Sequence, residues 1–110
     1  MLNSASALQR DCFEIIVLKF VEGLSSNEQA QEMNKLNSIV ENLAGFKSRD
    51  FYYSESDNRW VEFLVWQSPE AAKKASELVM QNQNACSIFS KIDNSSMIFS
   101  HYNHMGGTKK

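Results

Sequence analysis

The chain has 110 residues, of which 43% are hydrophobic and 22% charged, and a formal net charge of −2. This size and composition predict one globular domain. Lys and Arg residues are scattered, so no basic face is indicated and nucleic acid is excluded as a partner. The longest apolar run, Ile15 to Leu18, is too short to cross a membrane, and Met1 to Arg10 lacks the apolar core of a signal peptide. We therefore expect a cytoplasmic protein with no membrane partner.

Two cysteines, Cys12 and Cys86, stand alone in the sequence, without CxxC spacing or a nearby histidine. They indicate neither a zinc site nor a redox motif, and we expect both to be small, partly buried hydrophobic residues. The sequence also has no Gly-rich phosphate loop and no nucleophile elbow. It therefore predicts no metal and no cofactor.

The first half of the chain predicts a strand, a helix and a second strand. Phe13 to Val21 is apolar on both faces, which is typical of a central strand. Ser25 to Glu28 has the spacing of a capping box, and Gly45 stands where a helix terminator is expected. Phe46 to Ser54 has mixed faces, which suits an edge strand. The apolar positions of the helix are Ala30, Met33, Leu36, Val40, Leu43 and Ala44.

The second half predicts a hairpin, a helix and a last strand. Glu55 to Asn58 supplies turn residues before a central strand from Arg59 to Trp66. Ser68-Pro69-Glu70 opens the second helix, with Ser as N-cap and Pro at the first helical position. Ser95 to Tyr102 is the fourth strand. Asn82 interrupts the apolar stripe of the second helix, so the end of this helix is not fixed by the pattern. The stripe is Ala71, Ala75, Leu78, Val79, Cys86 and Phe89.

The order βαββαβ predicts an α+β, ferredoxin-like fold, in which a four-stranded antiparallel sheet carries two helices on one face. We expect residues 1–10 to be a flexible segment, 11–103 the domain and 104–110 a disordered tail. The uncovered face favours a homodimer, because a large apolar patch marks a contact surface. That face would expose a row drawn from Ile16, Leu18, Phe20, Val61, Phe63 and Val65, or the alternate residues.

The third strand contains the main candidate for chemistry. Alternation places Glu62 on one face with Trp60, Leu64 and Trp66. Burial would raise the affinity of this carboxylate for a proton, which is how a general base is made. The alternative is a structural role, with Glu62 in an internal ion pair with Lys19 or Arg49, or near a rim.

The segment Trp60 to Ala75, with Trp66-Gln-Ser-Pro-Glu-Ala71 joining strand to helix, resembles the antibiotic biosynthesis monooxygenase family. The step Leu43-Ala-Gly-Phe46 resembles that family's exit from its first helix. The resemblance implies a dimeric αβ-barrel of ferredoxin-like subunits. Some members oxidise polyphenols with dioxygen and no cofactor.

The resemblance is closer for the fold than for the active site. Trp66 matches a pocket tryptophan of the quinone-forming members, but their pocket asparagine is replaced by Glu62. Many relatives have a glutamate and a histidine where this chain has Leu64 and Ala75. The implied ligand is a small apolar or aromatic molecule, with Glu62 and Trp66 as catalytic residues. The expected ligand-binding residues are Trp60, Tyr53, Arg49 and His101.

Two other functional classes are alternatives to a cofactor-free monooxygenase. A non-catalytic ligand-binding or assembly module of the same fold stays open. An RNA-recognition domain shares the βαββαβ order but needs Gly and aromatic residues alternating on its third strand. Trp60-Val-Glu-Phe63 lacks that pattern.

Overall fold

A computed structural model describes residues 10–110, so nearly all of the predicted flexible segment, residues 1–10, lies outside the described residues. The predicted ferredoxin-like order is confirmed, with one additional short helix before the last strand. The elements are β1 (Cys12–Phe20), α1 (Ser26–Val40), β2 (Phe46–Ser54), β3 (Arg59–Trp66), α2 (Pro69–Met80), α3 (Gln83–Phe89) and β4 (Ile92–Tyr102).

The four strands form one antiparallel sheet in the order β2-β3-β1-β4. The prediction that β1 and β3 are central and β2 is an edge strand is therefore confirmed, and β4 is the other edge. In the centre of the sheet, Ile16 of β1 lies opposite Glu62 of β3. This register puts the even-numbered residues of both central strands on the face that the helices cover.

Helix α1 begins as predicted and ends earlier. The side chain of Ser25 accepts a hydrogen bond from the Glu28 amide, and Glu28 accepts one from the Ser25 amide, which completes the capping box. The helix ends at Val40, not at Gly45. Gly45 lies in the following turn with φ +83°, and a Cβ there would lie 2.5 Å from the Cβ of Ala71. Glycine is therefore required at this position by backbone conformation and by close packing.

The predicted second helix is divided into α2 and α3. Asn82 interrupts the backbone pattern and caps α3, its side chain accepting a hydrogen bond from the Ala85 amide. The new helix buries Ala85 and Ile88. Cys86 is consequently exposed, which corrects its predicted place in the apolar stripe, whereas Cys12 is buried as expected.

The core lies between the helices and one face of the sheet, and the opposite face stays open. The row predicted for the open face is split by the register: Ile16, Leu18 and Phe20 are buried under the helices. On β3, the odd-numbered residues occupy the open face, where Phe63 is 40% exposed. The open apolar face consists of Phe13, Ile15, Val17, Val61, Phe63, Val65, Ile98 and Tyr102.

The segment after β4 is irregular. Residues 103–110 form neither helix nor strand and are exposed. Within residues 10–110, every helix is too short or too polar to span a membrane.

Candidate functional site

Four ionisable residues, one from each strand, form a row across the helix-covered face of the sheet. In strand order they are Arg49 on β2, Glu62 on β3, Glu14 on β1 and His101 on β4. Glu14 lies opposite Leu64 while Glu62 lies opposite Ile16, so the two carboxylates are diagonal neighbours. Their Cα atoms are consequently about 7–8 Å apart. We call these four residues the polar row.

One half of the polar row is a buried ion pair. Nε of Arg49 donates a hydrogen bond to Oε1 of Glu62 over 2.9 Å, and the two side chains are only 2% and 6% exposed. Nη1 of Arg49 also donates to the Met33 carbonyl and to Oδ1 of Asn37, at 2.9 and 2.6 Å. The guanidinium is thus fixed between sheet and α1, which confirms the ion-pair alternative with Arg49 and excludes Lys19 as the partner of Glu62.

The other half of the polar row connects the interior with solvent. Oε1 of Glu14 lies 3.0 Å from Nε2 of His101. Glu14 is buried, with its side chain 7% exposed, whereas the His101 side chain is 36% exposed. A buried carboxylate is therefore paired with an imidazole that reaches water and that can carry one or two protons.

Both carboxylates line a cavity of about 210 Å³ between the sheet and the helices. Its floor includes Arg49 and Trp66 from the sheet, and the helices contribute mainly apolar side chains. Such a cavity, apolar with a few convergent polar groups, is the usual form of a small-molecule site. The remaining lining residues are Ile16, Leu36, Val40, Leu64, Ala75, Ser76, Val79, Met80, Phe89 and Phe99.

Burial raises the pKa of both carboxyl groups above the ordinary value for glutamate. For Glu62, desolvation raises the pKa, and the charge and hydrogen bond of Arg49 oppose that effect. For Glu14, desolvation again raises the pKa, His101 lowers it, and the nearby charge of Glu62 raises it further. The indole N–H of Trp66 also favours ionised Glu14, although within residues 10–110 that N–H has no hydrogen-bond partner of good geometry.

The predicted site residues fall into two groups. Glu62, Trp66 and Arg49 line the cavity. His101 does not line it, but its Nε2 lies within hydrogen-bond distance of Glu14, which does. Trp60 and Tyr53 do not line it.

Those two aromatic residues pack together in a different part of the sheet. Their ring centroids are 4.7 Å apart. The Trp60 indole N–H donates a hydrogen bond to Gln29, and the Tyr53 hydroxyl donates one to Asn58. These contacts hold both rings in place away from the cavity.

Glu14 is the site residue that the sequence prediction missed. It is in phase with Cys12 and Ile16 on a central strand, just as Glu62 is in phase with Trp60 and Leu64. The pattern that singles out Glu62, a carboxylate among apolar residues of a central strand, is also present at Glu14. In the described residues, no group of three or more His, Cys, Asp or Glu side chains is arranged to hold a metal ion.

Solved structures with the same fold include enzymes and proteins of unknown function. A mutant of SnoaB, a cofactor-independent oxygenase from Streptomyces nogalater, has a TM-score of 0.70 at 10% identity over 91% of this chain and 98% of that chain. A possible antibiotic biosynthesis monooxygenase from Chloroflexus aurantiacus has 0.62 at 14%, over 90% and 97%. A dimeric ferredoxin-like protein of unknown function from Jannaschia has 0.63 at 8%, over 86% and 99%.

No protein-family model matches the chain, and no curated protein matches it in sequence. At identities this low, the structural matches establish the fold alone. The ferredoxin-like subunit fold implied by the resemblance to the monooxygenase family is confirmed, and a structure described as a possible antibiotic biosynthesis monooxygenase is among those that share it.

Proposed function

We propose that this protein binds a small hydroxylated aromatic molecule in the cavity and that a buried carboxylate takes up its hydroxyl proton. The observation that carries the proposal is that two buried carboxylates, Glu62 and Glu14, line one apolar cavity of about 210 Å³. An apolar wall favours an aromatic ring, and carboxylates of raised pKa accept protons from weak acids. Trp66 supplies an aromatic surface at the same place.

Proton removal suits a cofactor-free monooxygenase. A phenolate gives up an electron to dioxygen more readily than the neutral phenol, so a base and a dry site are the parts that the protein must supply. The oxygenase with the same fold supports this choice of chemistry. Glu62 is held by Arg49 against the cavity, which keeps one carboxylate at a fixed position beside the ligand.

The functional unit of this proposal is a homodimer joined through the open apolar face. Phe63, Ile98 and Tyr102 are 40%, 60% and 45% exposed on that face, which is unusual for large apolar side chains in a monomer. A related fold that is described as dimeric supports the same arrangement. Since the cavity lies on the other side of the sheet, dimerisation leaves it accessible.

The experiment combines binding with oxygen consumption in metal-free buffer. Simple phenols and quinols should quench tryptophan fluorescence, because Trp66 lines the cavity. The chain has two tryptophans, which provide a matched pair of variants. Trp60→Phe should preserve the quenching, whereas Trp66→Phe should abolish it. Binding without oxygen uptake across a panel of quinols would reject the oxygenase part, and absence of any binding would reject the whole proposal.

A ligand-binding module without catalysis is the second candidate. The ion pair with Arg49 favours it, because a carboxylate that is tied to a guanidinium is a weaker base than a free one. Leu64 and Ala75 favour it too, because they stand where the family that the sequence resembles often has a glutamate and a histidine. In that case phenols bind without ionising, and replacing Glu62 by Gln leaves their affinity unchanged.

A further inference from the structure

We propose that Glu14 is the group that takes the proton from a bound hydroxylated ligand, and that His101 passes this proton to solvent. The inference rests on the proposed function and assigns the proton acceptor within that same cavity. It gives Glu62 a different task, that of a fixed negative charge beside Glu14.

The two carboxylates differ in their partners. Glu62 is bonded to Arg49, whose guanidinium keeps its charge at all ordinary pH values and is held by three hydrogen bonds. A proton on Glu62 would leave that buried positive charge without its counter-ion, which is costly. Glu14 is bonded to His101, whose imidazole ring has a neutral form and a protonated form. Only Glu14 can therefore change its charge without leaving an unpaired buried cation.

The two carboxylates also differ in their access to water. Both are buried, and the partner of Glu62 is buried with it at 2% exposure. The partner of Glu14 is His101, whose side chain is 36% exposed on the edge strand β4. A proton that leaves the cavity through the polar row therefore reaches solvent at the His101 end.

The proton moves from the ligand to water in three steps. The ligand O–H bond breaks, its electron pair stays on the ligand oxygen, and the proton binds a carboxylate oxygen of Glu14. Glu14 then gives the proton to Nε2 of the imidazole tautomer that carries its hydrogen on Nδ1. That transfer returns Glu14 to its ionised form. The imidazolium so formed releases its Nδ1 proton to water, and exchange of the ring protons with water restores the Nδ1–H tautomer before the next transfer. Glu14 is thus a catalytic residue that contacts the ligand, and His101 is a positioning and relay residue.

The surroundings of Glu14 contain few other charges. On its own strand the nearest titratable group is Cys12, and burial raises the pKa of that thiol, with Glu14 adding to the effect, so the thiol stays neutral. On the neighbouring strands the groups are those of the polar row. The helices contribute apolar residues and Ser76 to the cavity, and Glu70 of α2 acts on Cys12. The charge of Glu14 is consequently governed by Glu62 on one side and His101 on the other.

The probe for the test is 4-nitrophenol, because its phenolate absorbs visible light and the neutral phenol does not. It is added to the wild-type protein at a pH slightly below its own pKa. Binding should produce the phenolate absorption, and that absorption should be lost in Glu14→Gln and kept in Glu62→Gln. The two histidines of the chain give a matched pair, since His104 is exposed in the tail. His101→Gln should slow the release of the ligand proton to solvent, followed with a pH-indicator dye, and His104→Gln should leave that release unchanged.

A second measurement needs no ligand and detects any variant that is merely misfolded. Carbon NMR of labelled glutamate carboxyl groups follows the titration of Glu14 directly. Because His101 lowers the pKa of Glu14, His101→Gln should shift the Glu14 titration to higher pH, and His104→Gln should not. If the Glu14 titration curve is the same in His101→Gln as in the wild type, the proposed relay is wrong.

The outcomes separate the two proposals. If 4-nitrophenol binds and Glu14→Gln still ionises it as the wild type does, the assignment of Glu14 is wrong while the proposed function survives. If ionisation is lost in Glu62→Gln alone, Glu62 is the acceptor and the inference is overturned. If 4-nitrophenol and related phenols do not bind at all, the proposed function fails, and the inference fails with it.

Discussion

Replacing Arg49 by Met gives the most direct test of the buried half of the polar row. The substitution keeps an unbranched side chain of similar length but removes the charge that faces Glu62. Breaking a buried pair by removing one partner costs about 3–5 kcal/mol, because the other charge stays buried without compensation. We expect a loss of that size in the free energy of unfolding at pH 7, measured by urea denaturation.

The loss should depend on pH. Burial raises the pKa of Glu62 and Arg49 lowers it, so the variant raises that pKa further. A carboxyl group whose pKa is higher in the folded state stabilises the fold at low pH and loses that contribution as the pH rises through the folded pKa. Each further unit costs about 1.4 kcal/mol at neutral pH. The penalty of Arg49→Met should therefore shrink between pH 7 and pH 4, where Glu62 becomes neutral in the folded variant.

Two control proteins make the result specific. Arg59 forms an exposed ion pair with Asp57 at 3.6 Å, so Arg59→Met should cost about 0–1 kcal/mol at either pH. The double substitution Arg49→Met with Glu62→Leu removes both charges and should recover most of the stability. A pH-independent loss below about 1 kcal/mol for Arg49→Met, well under the cost of breaking a buried pair, would refute the description of this pair as buried and coupled.

Two further predictions concern assembly and helix formation. Light scattering at micromolar concentration should give a mass of twice 12.6 kDa, and Phe63→Lys on the open apolar face should reduce it to that of one chain; a monomeric wild type contradicts the dimer. Ser25→Ala should lower the stability by about 0.5–2 kcal/mol, because the Glu28 amide loses its acceptor. Thermal melting checks the second prediction, with Ser26→Ala as the neighbouring control.

Local patterns were enough to predict most of the fold. The capping box at Ser25 and the Ser68-Pro69 start of α2 depend on groups within one turn, so the sequence contains all the information that they need. Asn82 interrupts the apolar stripe of the second helix, but the division between α2 and α3 was missed because apolar residues resume at helical spacing beyond it. Only the hydrogen bond from the Ala85 amide to the Asn82 side chain identifies Asn82 as the N-cap of a new helix.

The register between distant strands could not be predicted in the same way. β1 and β3 are far apart in sequence, and both strands carry apolar residues on both faces. Nothing in either strand alone states that Ile16 lies opposite Glu62. For this reason the row of open-face residues combined the two strands incorrectly. The burial of Glu62 and its pairing with Arg49 could be predicted from the sequence, because the hairpin that joins β2 and β3 is short.

The polar row also has a consequence for how the sheet is assembled. Because each strand contributes one member, a slip of any strand by one residue would turn its member to the opposite face. A slip of β2 would leave Glu62 without its guanidinium, and a slip of β4 would leave Glu14 without its imidazole. Because β1 and β3 carry apolar residues on both faces, such a slip would cost little hydrophobic burial. It would, however, leave buried charges without partners, which is energetically costly. The four side chains thus distinguish the native strand alignment from its nearest competitors during folding.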